Sequence, residues 1–144
     1  MPDKIVVGYD GSDGAKRALD FAVEKAKAQG GSIVVAHVLE WSPYSFLTPT
    51  ELEERHMRRG EELSRAEEHV LSPVVDQLKG SGVEIDTALK YGNIADTLIA
   101  IAKEAKANQI VTGRQGESGL ASRLFGSVAG SLAQSSPVPV TIVP

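Results

Sequence analysis

Gly113, Gly116, Gly126 and Ser127 stand in the spacing G-x2-G-x9-G-S. Glycines let backbone amides approach an anion closely, and a helix beginning near Ser127 adds unpaired N–H donors and a favourable dipole. Those are the requirements of a polyphosphate. Asp10 follows the run Ile5-Val6-Val7-Gly8-Tyr9; a carboxylate at a strand end accepts hydrogen bonds from a diol, or else caps a turn or helix. Read alone, these residues fit a phosphate-binding loop or ordinary loop glycines, since glycine-rich loops are common.

Other chemistries find less support. The chain contains no G-x4-G-K-[ST], no G-x-G-x-x-G, no G-x-S-x-G and no H-E-x-x-H, so the usual signatures of P-loop, dinucleotide, hydrolase and zincin sites are missing. The glycine pattern offers a cradle but no evident base for attack on a γ-phosphate. His37 falls in an apolar strand and reads as a satisfied structural residue, while His56 and His69 lie in a charged helix without metal-ligand spacing. Cysteine is absent, which removes disulfides, thiolate metal sites and cysteine nucleophiles together. Fifteen Lys and Arg against 19 Asp and Glu give a net charge of −4, unsuited to a broad grip on nucleic acid or anionic lipid. No apolar run reaches the length of a membrane span, and Met1-Pro2-Asp3-Lys4 lacks a cationic leader, so the expectation is a soluble, cytoplasmic protein.

The elements that must position these residues follow from periodicity. The 144 residues suit one domain over 1–144. Ile5-Val6-Val7 and Ile33-Val34-Val35-Ala36 read as strands buried on both faces. Between them Ala15, Ala18, Leu19, Ala22, Val23 and Ala26 mark an amphipathic helix capped by Ser12 or Asp13 and stopped by Gly30-Gly31. A long solvated helix is expected from Glu51 to Leu78, kinked or divided by Pro73. Val83, Ile85, Thr87 and Leu89 alternate with polar neighbours, the pattern of an edge strand. Asn93 caps a helix carrying Ile94, Leu98, Ile101 and Ala105; Ile110-Val111 is a short central strand; a loop runs from Gly113 to Gly126; a short helix begins near Ser127; and Val138 to Ile142, interrupted by Pro139, forms a second edge strand. This order predicts an α/β three-layer sandwich around a five-stranded parallel sheet, order 3-2-1-4-5.

On these residues the chain resembles the universal stress proteins, specifically their nucleotide-binding branch, whose signature G-x2-G-x9-G-[ST] is matched by Gly113, Gly116, Gly126 and Ser127. Ile5 to Ser12, Val35-Ala36-His37-Val38, Tyr91-Gly92-Asn93 and Pro137 to Val140 extend the resemblance over essentially the whole chain. It implies a Rossmann-like fold of the adenine nucleotide alpha hydrolase type. It also implies that Asp10 accepts from ribose hydroxyls, that Val38 reads the adenine edge, and that Gly8 and Thr112 line base and ribose. Gly113, Gly116, Gly126, Ser127 and the Val128 amide would then cradle phosphates, with Mg2+ or Mn2+ held through those phosphates. Departures from the family pattern are Arg114 before Gln115, Thr112 at a commonly apolar position, Asn108 in place of Asp, and Glu117 near the phosphates, where a metal or Arg123 would have to offset its charge.

The resemblance implies an ATP-binding protein, with ADP or AMP as alternatives, that acts as a nucleotide-responsive switch read by a regulatory partner. It further implies a homodimer through the edge strand Val138 to Ile142. The rival readings are a slow ATPase of the same fold and an interaction dimer without nucleotide. Trp41 to Leu47 gathers the one Trp with Tyr44 and Phe46 after the second strand, as a lid, a partner patch or satellite packing.

Overall fold

The two apolar runs pair in parallel as β1 (Lys4–Gly8) and β2 (Ser32–Leu39), with Ile5 opposite Ile33 and Val7 opposite Val35. On the other side of β1 lies β4 (Gln109–Gly113), with Val7 opposite Val111. The flanks are β3 (Glu84–Tyr91), parallel to β2, and β5 (Val140–Val143), parallel to β4. The sheet order is therefore β3-β2-β1-β4-β5, as the sequence predicts. The computed structural model describes residues 3–40, 49–114 and 121–144, excluding the side chains of 52, 55, 56 and 121–127.

Alternation along the strands divides the core in two. Ile5, Val7, Ile33, Val35 and Val111 meet α1 (Asp13–Gln29) and, farther along, Leu71 and Val74. Val6, Val34, Ala36 and Ile110 meet α4 (Ile94–Ala105) and α5 (Ala121–Ser135) on the opposite face. Helices cover both faces, which is why the central strands carry no polar alternation. In β3, by contrast, Ile85 and Leu89 pack inward while Glu84, Asp86 and Lys90 are exposed.

The caps behave as their residue types require. Ser12 accepts from the Ala15 amide at 3.1 Å to open α1, and Gly30 closes it with φ 70°. Asn93 accepts from the Asp96 amide at 3.1 Å to open α4, which ends on Lys106 at φ 57°.

Four boundaries differ from expectation. The long helix α2 (Pro49–Ala66) starts earlier, at Pro49. It passes through a π-helical turn, Glu67–Leu71, into α3 (Ser72–Leu78). Pro73 is the second residue of α3, directly after that turn. The wider turn accommodates its ring, which an ordinary helix would press against the carbonyl of His69. The helix expected near Ser127 begins at Ala121. Ala121, Leu124, Phe125, Val128, Ala129 and Leu132 keep one apolar period across Gly126, so the glycine sits inside the helix. Finally, β5 begins at Val140, and Pro139 stands just outside it with its carbonyl accepting from the Ile110 amide at 3.0 Å. Thus Pro139 precedes the ladder and does not interrupt it.

Candidate functional site

The chain winds from β1 to β2 to β3 in one direction, then crosses back through α4 to β4 on the other side of β1. The carboxyl ends of β1 and β4 therefore flank the topological switch point, where open parallel sheets leave a crevice. Gly8 ends β1 and Gly113 ends β4. Both are buried. A Cβ at Gly8 would stand 3.2 Å from Leu98 Cδ1 and 3.6 Å from Thr112 Oγ1, so Gly8 and Thr112 are neighbours across the two strands. A Cβ at Gly113 would stand 2.9 Å from the Gly14 carbonyl oxygen. Gly113 thus permits the β4 end to touch the first turn of α1, a packing role that exists whether or not a ligand binds. Thr112 is fully buried, its hydroxyl 3.4 Å from the Gly113 carbonyl.

Asp10 lies at the rim, half-buried, in the turn between β1 and α1. Its Oδ1 accepts from the Ser12 amide at 2.9 Å and from the Ser12 hydroxyl at 2.5 Å. This Asx turn sets the carboxylate while Ser12 caps α1. The preceding Tyr9 is held at three points. Its amide donates to Ala36 O at 2.8 Å, its ring joins the first core, and its carbonyl lies 2.7 Å from His37 Nδ1. A carbonyl oxygen only accepts, so His37 Nδ1 carries the proton. Burial raises the Tyr9 phenol above its ordinary value, aided by Asp10 and Asp20.

Val38 is half-buried near the end of β2 and packs against the second core. Val128 packs there too, from α5. Gly126 and Ser127 are the sixth and seventh residues of α5, positions whose amides have acceptors inside a regular helix; the unpaired donors belong to the first turn. The expectation that Gly126, Ser127 and Val128 open the helix is corrected accordingly. Gly116, Gln115, Glu117 and the Trp41 to Leu47 segment lie outside the described residues, as does the side chain of Arg123. Arg114 is exposed at the end of β4, its amide donating to Val143 O at 2.9 Å. Asn108 ties the strand starts together, accepting from the Lys4 amide at 2.8 Å and donating its own to Lys4 O. Among the described residues no group of three or more His, Asp or Glu is placed to hold a metal ion.

Two features are missed by sequence reasoning. One is the bond from His37 Nδ1 to the Tyr9 carbonyl; a lone histidine in a strand gives no sign of what it reaches. The other lies at the end of β3, where Tyr91 donates to the Glu62 carboxylate and Arg59 sits 5.5 Å from the Tyr91 ring centroid. Burial and the Glu62 bond push the Tyr91 phenol from 10.0 to about 12, with Arg59 pulling the other way.

Sheet order, helices on both faces and strand ends closed by Gly8 and Gly113 at the switch point define a doubly wound parallel α/β protein. Comparison with known proteins narrows this class. The chain belongs to the universal stress protein family, which it matches over residues 1–144. It is 32% identical to Universal stress protein YxiE of Bacillus subtilis, over 99% of each chain. Universal stress protein UspA from Lactobacillus plantarum shares the fold with a TM-score of 0.81 at 22% identity, covering 100% of this chain and 99% of that one. A universal stress protein crystallised in complex with cAMP superposes with a TM-score of 0.63 at 30% identity, covering 99% of this chain and 96% of the other. No helix among the described residues is long and apolar enough to cross a membrane.

Proposed function

We propose that this protein binds an adenine nucleotide at the carboxyl ends of β1, β2 and β4 and works as a nucleotide-responsive switch. The observation that carries the reading is the rim itself. Gly8 and Gly113 end the two strands that flank the switch point, and Asp10, two residues past Gly8, has its carboxylate clamped by Ser12. The cAMP complex of a 30%-identical relative supports the ligand class. In this reading Asp10 accepts from the ribose hydroxyls, Val38 lies along the adenine, and Gly8 and Thr112 line the base and ribose. Gly113, Gly116, Gly126, Ser127 and the Val128 amide take the phosphates. ATP is the preferred ligand, with Mg2+ or Mn2+ held through its phosphates rather than in a protein cage. Because the amides at 126–128 have helical acceptors in α5, phosphate binding opens the start of that helix, and the ordered loop is what a regulatory partner reads.

Calorimetric titration with ATP and Mg2+ tests this. The wild type is expected to bind, Asp10→Ala roughly tenfold or more weaker through loss of charged hydrogen bonds, and Gly126→Asp to lose triphosphate affinity by repulsion. Equal binding by Gly126→Asp removes the phosphate assignment. A wild type that binds no adenine nucleotide removes the whole reading and favours an interaction dimer.

The same proposal includes a homodimer through the C-terminal edge, expected over Val138 to Ile142. It is supported by β5 forming a sheet edge with Ile142 39% exposed, since an uncovered edge offers unpaired backbone groups to a second copy. Sedimentation as a dimer at micromolar concentration is the expected result; a monomer contradicts it.

A further inference from the structure

We infer that His37 is a positioning residue for Asp10, setting the geometry of the ribose-binding carboxylate without touching the ligand. The inference rests on the nucleotide reading above for its functional consequence but on hydrogen-bond geometry for its mechanism.

The Asp10 carboxylate is fixed from both sides of the chain. On its C-terminal side, Ser12 binds Oδ1 through its amide and hydroxyl. On its N-terminal side stands the peptide plane joining Tyr9 to Asp10, whose carbonyl oxygen receives His37 Nδ1–H at 2.7 Å. The Tyr9 amide is already bound to Ala36 O, and the Tyr9 ring is fixed in the first core at 7% exposure. The remaining soft torsion before Asp10 is rotation of that peptide plane. His37 opposes it. Residue 37 sits on β2 opposite Leu89 of β3, directly after Ala36, the last β2 residue paired with β1, so the donor is mounted on a strand held in the sheet. Without the imidazole the half-buried carbonyl seeks another donor, the plane turns, and the Asp10 Cα and its Asx turn turn with it.

Atom position makes this testable, because an asparagine amide places its nitrogen near the imidazole Nδ1 site whereas a glutamine amide reaches the Nε2 site. His37→Asn, His37→Gln and His37→Ala are compared by calorimetric titration with ATP and Mg2+, alone and combined with Asp10→Ala. The Gln and Ala variants are expected to bind roughly tenfold more weakly, as for a lost hydrogen bond, and Asn to restore affinity. In the Asp10→Ala background, His37→Ala is expected to cause no further loss, since the carboxylate it positions is gone. Equal behaviour of Asn and Gln, or losses that multiply fully with Asp10→Ala, overturns the inference.

Exchange of the Ser12 amide, measured without nucleotide, reads the Asx turn directly. It is expected to quicken in Gln and Ala but not in Asn. If wild type binds no nucleotide, the ligand reading falls, while the Ser12 exchange still decides whether His37 holds the Asp10 turn. Unchanged exchange in all three variants overturns that as well.

Discussion

The β1–α1 corner and the β3–α2 edge each join a strand end to a helix through side-chain hydrogen bonds, yet they differ in what stands behind those bonds. At the corner, Asp10, Ser12, Tyr9 and His37 are backed by strands paired on both sides and by a closed core. At the edge, Tyr91 binds Glu62 and lies under Arg59 at the end of a strand whose outer neighbour is solvent, and α2 is exposed along most of its length. The same chemistry thus yields a preorganised carboxylate at the centre and a loosely supported clasp at the periphery. A recognition site needs the former, because a carboxylate held in place loses little freedom when a ligand arrives.

Substitutions that separate the two regions can be ordered by size. Ile110→Ala, at a fully buried side chain of β4 in the second core, is expected to cost about 2–5 kcal/mol through lost burial and the cavity left behind, read as a fall in the urea midpoint. Gly113→Ala forces a methyl to within 2.9 Å of a backbone oxygen that cannot swing away. It should cost about 1–3 kcal/mol, visibly more than Gly8→Ala, whose Cβ meets the movable Leu98 side chain. Ser12→Ala removes the α1 cap and both the amide-supporting geometry and hydroxyl contact at Asp10, for about 1 kcal/mol of stability together with a measurable loss of nucleotide affinity.

The smallest effect belongs to the edge. Tyr91→Phe should cost no more than about 1 kcal/mol, as for other exposed charge-assisted contacts, and leave nucleotide affinity unchanged. Its signature is alkaline. The folded-state phenol is pushed from 10.0 to about 12, so its contribution is whole below pH 10 and lost as the pH climbs through 12. Unfolding curves over that window should show wild type losing stability relative to Tyr91→Phe. Equal slopes would mean that the clasp does not form in solution.

Much of this division was legible in the sequence. Continuous β-branched runs in β1, β2 and β4 announce strands covered on both faces, and the polar alternation of Glu84, Asp86 and Lys90 announces an edge. Asp10 and the strand-ending glycines were readable as a rim because they follow those runs. Less legible was whatever depends on contacts distant in sequence. Gly113 reads as a loop glycine until Gly14 is seen against it, and His37 reads as a satisfied structural residue without any sign that Tyr9 O is the partner. The start of α5 was misplaced because Gly126 looks like a boundary, although the apolar period runs through it from Ala121. Pro73 was correctly seen as a disturbance, but the wider turn upstream at Glu67–Leu71 has no signature in residue type.

Hydrogen exchange with and without ATP and Mg2+ decides whether nucleotide is taken at the β1 and β4 strand ends or at the β3–α2 edge. Binding at the strand ends slows exchange at residues 9–12 and 112–114, quickens it at the start of α5, and leaves β3 and the middle of α2 unchanged. Protection confined to β3 and α2, or no change anywhere at saturating nucleotide, would contradict it.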